Sequence, residues 1–138
     1  MSNEVVFEGI LPALITPLTE DGSEVDHAGL TEVVEGLLAA GVSGLVPCGS
    51  TGEFVTLTNA ERRAVVETVI DAAAGRVPVV PHTGALSTAE TIELSVHAEA
   101  AGAAAVMVVP PFYEQLKERE LLGHFVAVAE AVKVPWMY

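Results

Sequence analysis

What the chain lacks narrows it first. It has one cysteine, Cys48, in 138 residues, so it cannot form an internal disulfide. Cys48 ends an apolar run with no histidine close behind it, which reads as a small buried hydrophobe rather than a nucleophile. Basic residues are scarce: 6 Lys and Arg stand against 19 Asp and Glu, for a formal charge of −13. Faces that bind nucleic acid or anionic membranes need the opposite sign, so neither partner is expected, and the acids read as solvated helix faces. No apolar run approaches the roughly 18 residues of a membrane span, because Gly, Pro or a charge cuts each one. The stretch Met1 to Ile10 has no basic segment followed by an apolar one, which leaves a cytoplasmic location as the expectation. His, Cys and carboxylates do not fall at metal-ligand spacing.

What is present is a core. Hydrophobic residues make up 51% of the chain, enough for one domain with a substantial interior. Ile10 to Ile15, broken only by Pro12 and ended by Thr16-Pro17, reads as a first strand buried on both faces. A turn around Asp21-Gly22 follows, and Asp26 can cap a helix whose stripe is Leu30, Val33, Val34, Leu37 and Leu38. Leu45 to Cys48 is a second strand. Thr58-Asn59-Ala60-Glu61 has capping-box spacing, and Val65, Val66, Val69 and Ile70 form the next stripe. Val77 to Pro81 is a third strand, Ser87-Thr88-Ala89-Glu90 repeats the box, and Ala104 to Val109 is a fourth strand. Leu121, Leu122, Phe125, Val128, Ala129 and Val132 mark a fourth helix, and Val134 to Tyr138 begins a fifth strand.

Helix ends at Ala39-Ala40-Gly41, Ala73-Ala74-Gly75 and Ala100-Ala101-Gly102 each precede an apolar strand, so the chain repeats a strand-helix unit of roughly 30 residues. An open doubly wound sheet and an eight-unit barrel both use that repeat. A barrel needs about 250 residues, so length favours the open sheet. In either case ligands bind at the carboxyl ends of the strands. Those ends carry Thr16-Pro17, Gly49 to Glu53, His82-Thr83-Gly84 and Pro111-Phe112-Tyr113.

The loop Gly49-Ser50-Thr51-Gly52-Glu53 concentrates the chemistry. Two glycines let the backbone turn tightly, and the Ser50 and Thr51 hydroxyls join the local N–H groups in a nest that suits a carboxylate or phosphate. It is not a nucleotide P-loop, because Glu53 stands where that motif places a cation. His82 reads as a hydrogen-bonded structural histidine; His27, His97 and His124 fall on helices as surface or packing residues.

Taken together, Ala13-Leu14-Ile15-Thr16-Pro17, Gly49-Ser50-Thr51-Gly52-Glu53, Gly84 with Ser87-Thr88-Ala89-Glu90, and Pro111-Phe112-Tyr113 resemble the first half of the dihydrodipicolinate synthase and N-acetylneuraminate lyase family, the pyruvate-dependent class I aldolases. The resemblance runs from Gly9 to Tyr138. It implies a TIM (β/α)8 barrel, with residues 1–138 supplying the first four β/α units and the start of the fifth strand, as the N-terminal half of a single domain. It further implies a lysine on the sixth strand that forms a Schiff base with pyruvate or another 2-oxo acid, an aldehyde as second substrate, no separate cofactor and no metal, and a homo-oligomer, a tetramer in the family. Thr16, Gly49, Ser50, Thr51 and Gly52 would bind the substrate carboxylate, with Ser50 in a proton relay. Tyr113 would complete that relay in a neighbouring subunit. The relay's central tyrosine lies on the fifth strand, one residue further from the strand's proline than Tyr138 is from Pro135, which leaves Tyr138 or the residue after it for that role.

Two lysines exist, Lys117 at the start of the fourth helix and Lys133 before the fifth strand, and neither is placed for the Schiff base. Residues 1–138 alone are therefore expected to be inactive, and half of a closed barrel to pair with another half or with a copy of itself. Ser50-Thr51 with His82 and the Ser87-Thr88-Ala89-Glu90 run is closer to the neuraminate lyase branch, and Phe54 with Leu57-Thr58 resembles some sugar-acid aldolases and dehydratases. A non-catalytic carboxylate-binding half-barrel and an open-sheet phosphate-binding domain are the readings from other classes.

Overall fold

The computed structural model describes residues 7–138; most of the polar start before Ile10 lies outside them. Four helices carry the expected stripes: α1 (His27–Ala39), α2 (Asn59–Ala73), α3 (Thr88–Ala101) and α4 (Glu118–Ala131). Asp26 caps α1 by accepting from the Gly29 N–H at 2.9 Å. At α2 the capping box is complete, Thr58 accepting from the Glu61 N–H while Glu61 accepts from the Thr58 N–H. The Ala-Ala-Gly stops work through backbone geometry, because Gly41, Gly75 and Gly102 sit at φ +81°, +72° and +106°, where a side chain is strained.

The extended segments pair in parallel and in sequence order. Ala13 bridges Val46, Leu45 bridges Val79, and His82 bridges Met107; β1 (Val106–Met107) then pairs with β2 (Trp136–Met137). Successive helices pack on one another, α1 on α2, α2 on α3 and α3 on α4. Strand order that advances without a reversal is the winding of a barrel, not of an open doubly wound sheet.

Three expected strands are shorter than their apolar runs. The cause is proline, which accepts in a ladder but cannot donate. Pro12, Pro47 and Pro81 each accept, from Val46, His82 and Met107, and each leaves the return bond unmade, so single bridges replace ladders. The first segment is also not buried on both faces: Leu14 is 2% exposed, but Ile10 is 72% and Ile15 54% exposed. Among the described residues it has a paired neighbour on one side only.

The core lies between helices and strands, with Leu30 and Val34 of α1, Val65 and Val69 of α2 and Val128 of α4 packed with Leu14, Leu45, Val79, Val106 and Val108. Each such burial contributes about 1.5–3 kcal/mol. Because side chains alternate along a strand, Val46, Val80 and Ala105 form a second, smaller cluster with Leu11, Met107 and Met137.

Two local expectations change. On α4 the buried positions are His124 and Val128, with Val132 just beyond, while Leu122 is 64% exposed and Ala129 faces solvent. His124 takes the place on the inner face and bonds Thr88 Oγ1 at 2.9 Å. At α3 the Ser87 oxygen accepts from the Glu90 N–H, but Glu90 turns away to accept from Asn59 Nδ2 at 2.7 Å, so half a capping box tethers α3 to α2.

Candidate active site

At the end of the second segment the chain leaves the sheet at Cys48, whose φ of +60° is unusual for a residue with a side chain. The Gly52 N–H donates to the Gly49 carbonyl at 3.0 Å and the Glu53 N–H to that of Ser50 at 3.1 Å. These turns bring Ser50 and Thr51 to an exposed tip while Gly52 is buried. Glycine fits closely at 52, because a Cβ there would meet the Leu14 carbonyl at 3.0 Å and Thr16 Oγ1 at 3.1 Å and would push on both. Thr16, arriving from the first segment, donates its hydroxyl to the Gly52 carbonyl at 2.8 Å. Thr16 and residues 49–52 are thus brought into one cluster.

The loop's exit is Phe54, 8% exposed. Its ring meets the imidazole of His82 edge-on at 4.4 Å and the ring of Phe112 at 5.6 Å. His82 is 3% exposed, and its Nδ1 donates to the Cys48 carbonyl at 2.9 Å. Burial, reinforced by the nearby Arg62 charge, pushes its pKa down to about 4, so it is neutral at pH 7. Burial pushes the Cys48 thiol up to about 11, and it is no nucleophile at neutral pH.

Arg62 was invisible as a site residue in the composition. It is 4% exposed, and burial lowers its pKa. Its Nη2 donates to the carbonyls of His82 at 3.1 Å and Gly84 at 3.0 Å. The signal that could have found it is its register: Arg62 precedes Val65, Val66 and Val69 on the buried stripe of α2.

Tyr113 is 83% exposed and Tyr138 87% exposed. Tyr138 lies tilted on Phe125 at 5.5 Å. Among the described residues neither tyrosine is hydrogen-bonded to the loop. Lys133 donates its N–H to Glu99 at the far end of α3, opposite the loop, and Lys117 is exposed at the first turn of α4. A cavity of about 170 Å³ opens between the first turns of α2 and α3, walled by Phe54, Arg62 and Phe112 but by none of residues 49–52. Among the described residues no three His, Cys, Asp or Glu side chains could hold a metal ion, and no helix is long and apolar enough to cross a membrane.

Parallel segments in sequence order, with a buried glycine turn presenting two hydroxyls at their carboxyl ends, define a protein of the β/α-barrel class. Comparison with known proteins sharpens this. Residues 6–138 match the Dihydrodipicolinate synthetase family, and the chain belongs to it. It is 50% identical over 133 residues to the 4-hydroxy-tetrahydrodipicolinate synthase of Sorangium cellulosum, covering 96% of this chain and 44% of that protein. Among solved structures it resembles YagE of E. coli, a prophage protein of the dihydrodipicolinic acid synthase family in complex with pyruvate (41% identity, TM-score 0.91, 96% of this chain and 44% of the other). It also resembles N-acetylneuraminate lyase from Mycoplasma synoviae (33% identity, TM-score 0.88, 94% and 45%). The chain spans less than half the length of the relatives it matches, and its fold is the first part of their barrel.

Proposed function

We propose that the complete protein carrying this chain is a pyruvate-dependent Schiff-base enzyme of the 4-hydroxy-tetrahydrodipicolinate synthase type, joining a 2-oxo acid to an aldehyde or cleaving such a product. Residues 1–138 are then the N-terminal half of a single barrel domain. The observation that carries the reading is the loop closed by Thr16 on Gly52 with Ser50 and Thr51 exposed at its tip, in a chain half identical to such a synthase. The higher identity to the synthase than to the lyase favours the synthase branch.

In this mechanism a lysine amine outside residues 1–138 adds to the pyruvate ketone and expels water. The resulting iminium draws electrons from the neighbouring methyl carbon, which loses a proton and becomes an enamine. The enamine attacks the aldehyde carbon, and hydrolysis of the imine restores the lysine. Gly49 to Gly52 and Thr16 hold the pyruvate carboxylate by backbone N–H groups and hydroxyls. Ser50 passes the proton, Tyr113 serves a neighbouring subunit, and Tyr138 or its successor stands between them. The enzyme needs no separate cofactor, works in the cytoplasm and is a homo-oligomer.

The test is to incubate the complete gene product with pyruvate, reduce with borohydride and read the intact mass, with a chain ending at Tyr138 as control. A reduced adduct on the complete product and none on the control is expected. An adduct on Lys117 or Lys133 would place the chemistry within these residues and overturn that part of the reading.

A further inference from the structure

Residues 48–54 are gripped at both ends from outside the loop. At the entry the Cys48 carbonyl accepts from His82 Nδ1 at 2.9 Å. A carbonyl can only accept, so the proton sits on Nδ1. At the exit Phe54 packs against that same imidazole, and the Arg62 guanidinium lies over the Phe54 ring, 5.0 Å from its centre. Arg62 Nη2 ties down the His82 and Gly84 carbonyls, and the Cys48 thiol donates to the Arg62 carbonyl at 3.6 Å. Cys48, His82 and Arg62 therefore close a ring of contacts around the loop's two anchors. Gly84 is part of the fit, since a Cβ there would come within 2.7 Å of His82 Nε2.

Arg62 is a costly choice for this position. It is nine-tenths or more buried, its Nε has no partner among the described residues, and no carboxylate there lies within ion-pair distance. An apolar side chain would pack α2 onto the sheet at lower cost. What an apolar side chain could not do is hold two carbonyls at the end of the third segment and a ring at the loop's exit.

We infer that Arg62 and His82 are positioning residues for the carboxylate-binding loop: together they hold Cys48 in its left-handed conformation and Phe54 in its seat, so that Ser50 and Thr51 meet a 2-oxo acid already oriented. This rests on the pyruvate reading above. A loop set in advance loses little freedom on binding, so the clamp acts on affinity for the 2-oxo acid and far less on the covalent step.

The test uses the complete gene product and pyruvate, following the borohydride-trapped adduct against pyruvate concentration. Arg62→Met and His82→Leu are expected to raise the half-saturating pyruvate concentration about tenfold or more, with the maximal trapping rate changed by less than about threefold. Arg62→Lys and His82→Asn, which keep a donor, recover most of the loss. Arg63→Met, which removes the half-buried neighbour that pairs with Glu93 of α3 rather than with the loop, leaves both values unchanged. In the ligand-free protein, amides of residues 49–54 exchange about tenfold faster in Arg62→Met while those of α1 and α4 keep their rates. Unchanged half-saturation in both variants, no advantage of Lys over Met, or faster exchange spread evenly along the chain would overturn the inference. Should Arg62→Met not fold, Arg62→Gln takes its place with the same outcomes. If the unaltered protein forms no adduct, the pyruvate reading has failed; local loosening of 49–54 then still upholds the clamp, and uniform loosening ends it.

Discussion

Between Cys48 and Phe54 the chain is tied to three other segments, by backbone bonds to Thr16 and His82 and by side-chain contacts to Arg62. Between Pro110 and Leu116, at the end of the fourth strand, Phe112 is 49% and Tyr113 83% exposed, and the link to the first loop is one aromatic edge, Phe112 on Phe54. The first loop is finished within this chain. The second leaves a large amphipathic ring, Tyr113, mostly uncovered by the described residues. The contrast fits the roles proposed for them: a group that binds a small rigid carboxylate gains from being fixed beforehand, whereas a phenol that serves another subunit's site must project.

Ser50→Ala should separate the loops most sharply. On the proposed relay it lowers turnover about 100-fold or more with thermal stability unchanged, because the Ser50 side chain is exposed; turnover within about threefold of the unaltered protein would remove Ser50 from the relay. Tyr113→Phe should cost about tenfold in turnover and less than about 0.5 kcal/mol in stability. Mixing it with Ser50→Ala subunits should restore part of the activity if Tyr113 works across an interface, and no recovery would argue that it does not. Thr16→Val deletes the 2.8 Å bond to Gly52, worth about 1 kcal/mol, and should raise the pyruvate KM about fivefold while sparing the second loop.

The smallest effect is on pH. His82 titrates near 4 in the folded protein against about 6.5 unfolded. The unfolded chain therefore binds the extra proton first, and this contribution to stability, present above pH 6.5, is lost as pH falls towards 4. Denaturant midpoints taken across that window should fall with acidification, and more gently in His82→Asn. Asp21, held down to about 2 by Thr19 and Ser23, acts in a lower window, whereas burial also lowers His124, so the difference between the unaltered protein and His82→Asn is what isolates His82.

The sequence carried its local rules well. Asp26, Thr58 and the Ala-Ala-Gly stops are caps and breaks whose geometry depends on near neighbours, and each formed as its residues demand. The tight turn at residues 49–53 was legible for the same reason. The shortness of the strands was not, because the consequence of Pro47 depends on which partner residue faces it. Periodicity also assigns a charged residue to the solvent by default, which hid Arg62 on an otherwise apolar stripe. The same default favoured Leu122 over His124 on α4, although the angular position of 124 matches Val128 better. Glu90 shows the limit of a motif: its spacing fits a capping box, yet Asn59 on the adjacent helix competes for the carboxylate. Strand order lies in long-range pairing that no local window contains, so periodicity left open sheet and barrel undecided, and the barrel was legible only in the four strand-end motifs taken together.

The prolines have a consequence for how the wall is joined. Pro12, Pro47 and Pro81 each accept from the segment they face and donate nothing back, so neighbouring segments meet at single bridges rather than along ladders. The side chains behind them, Leu45 and Val79 packed with Val65 and Val69 of α2, then carry much of the cohesion that a longer ladder would supply. A wall joined this way resembles slats on a frame, each one spaced by what fills the gap behind it.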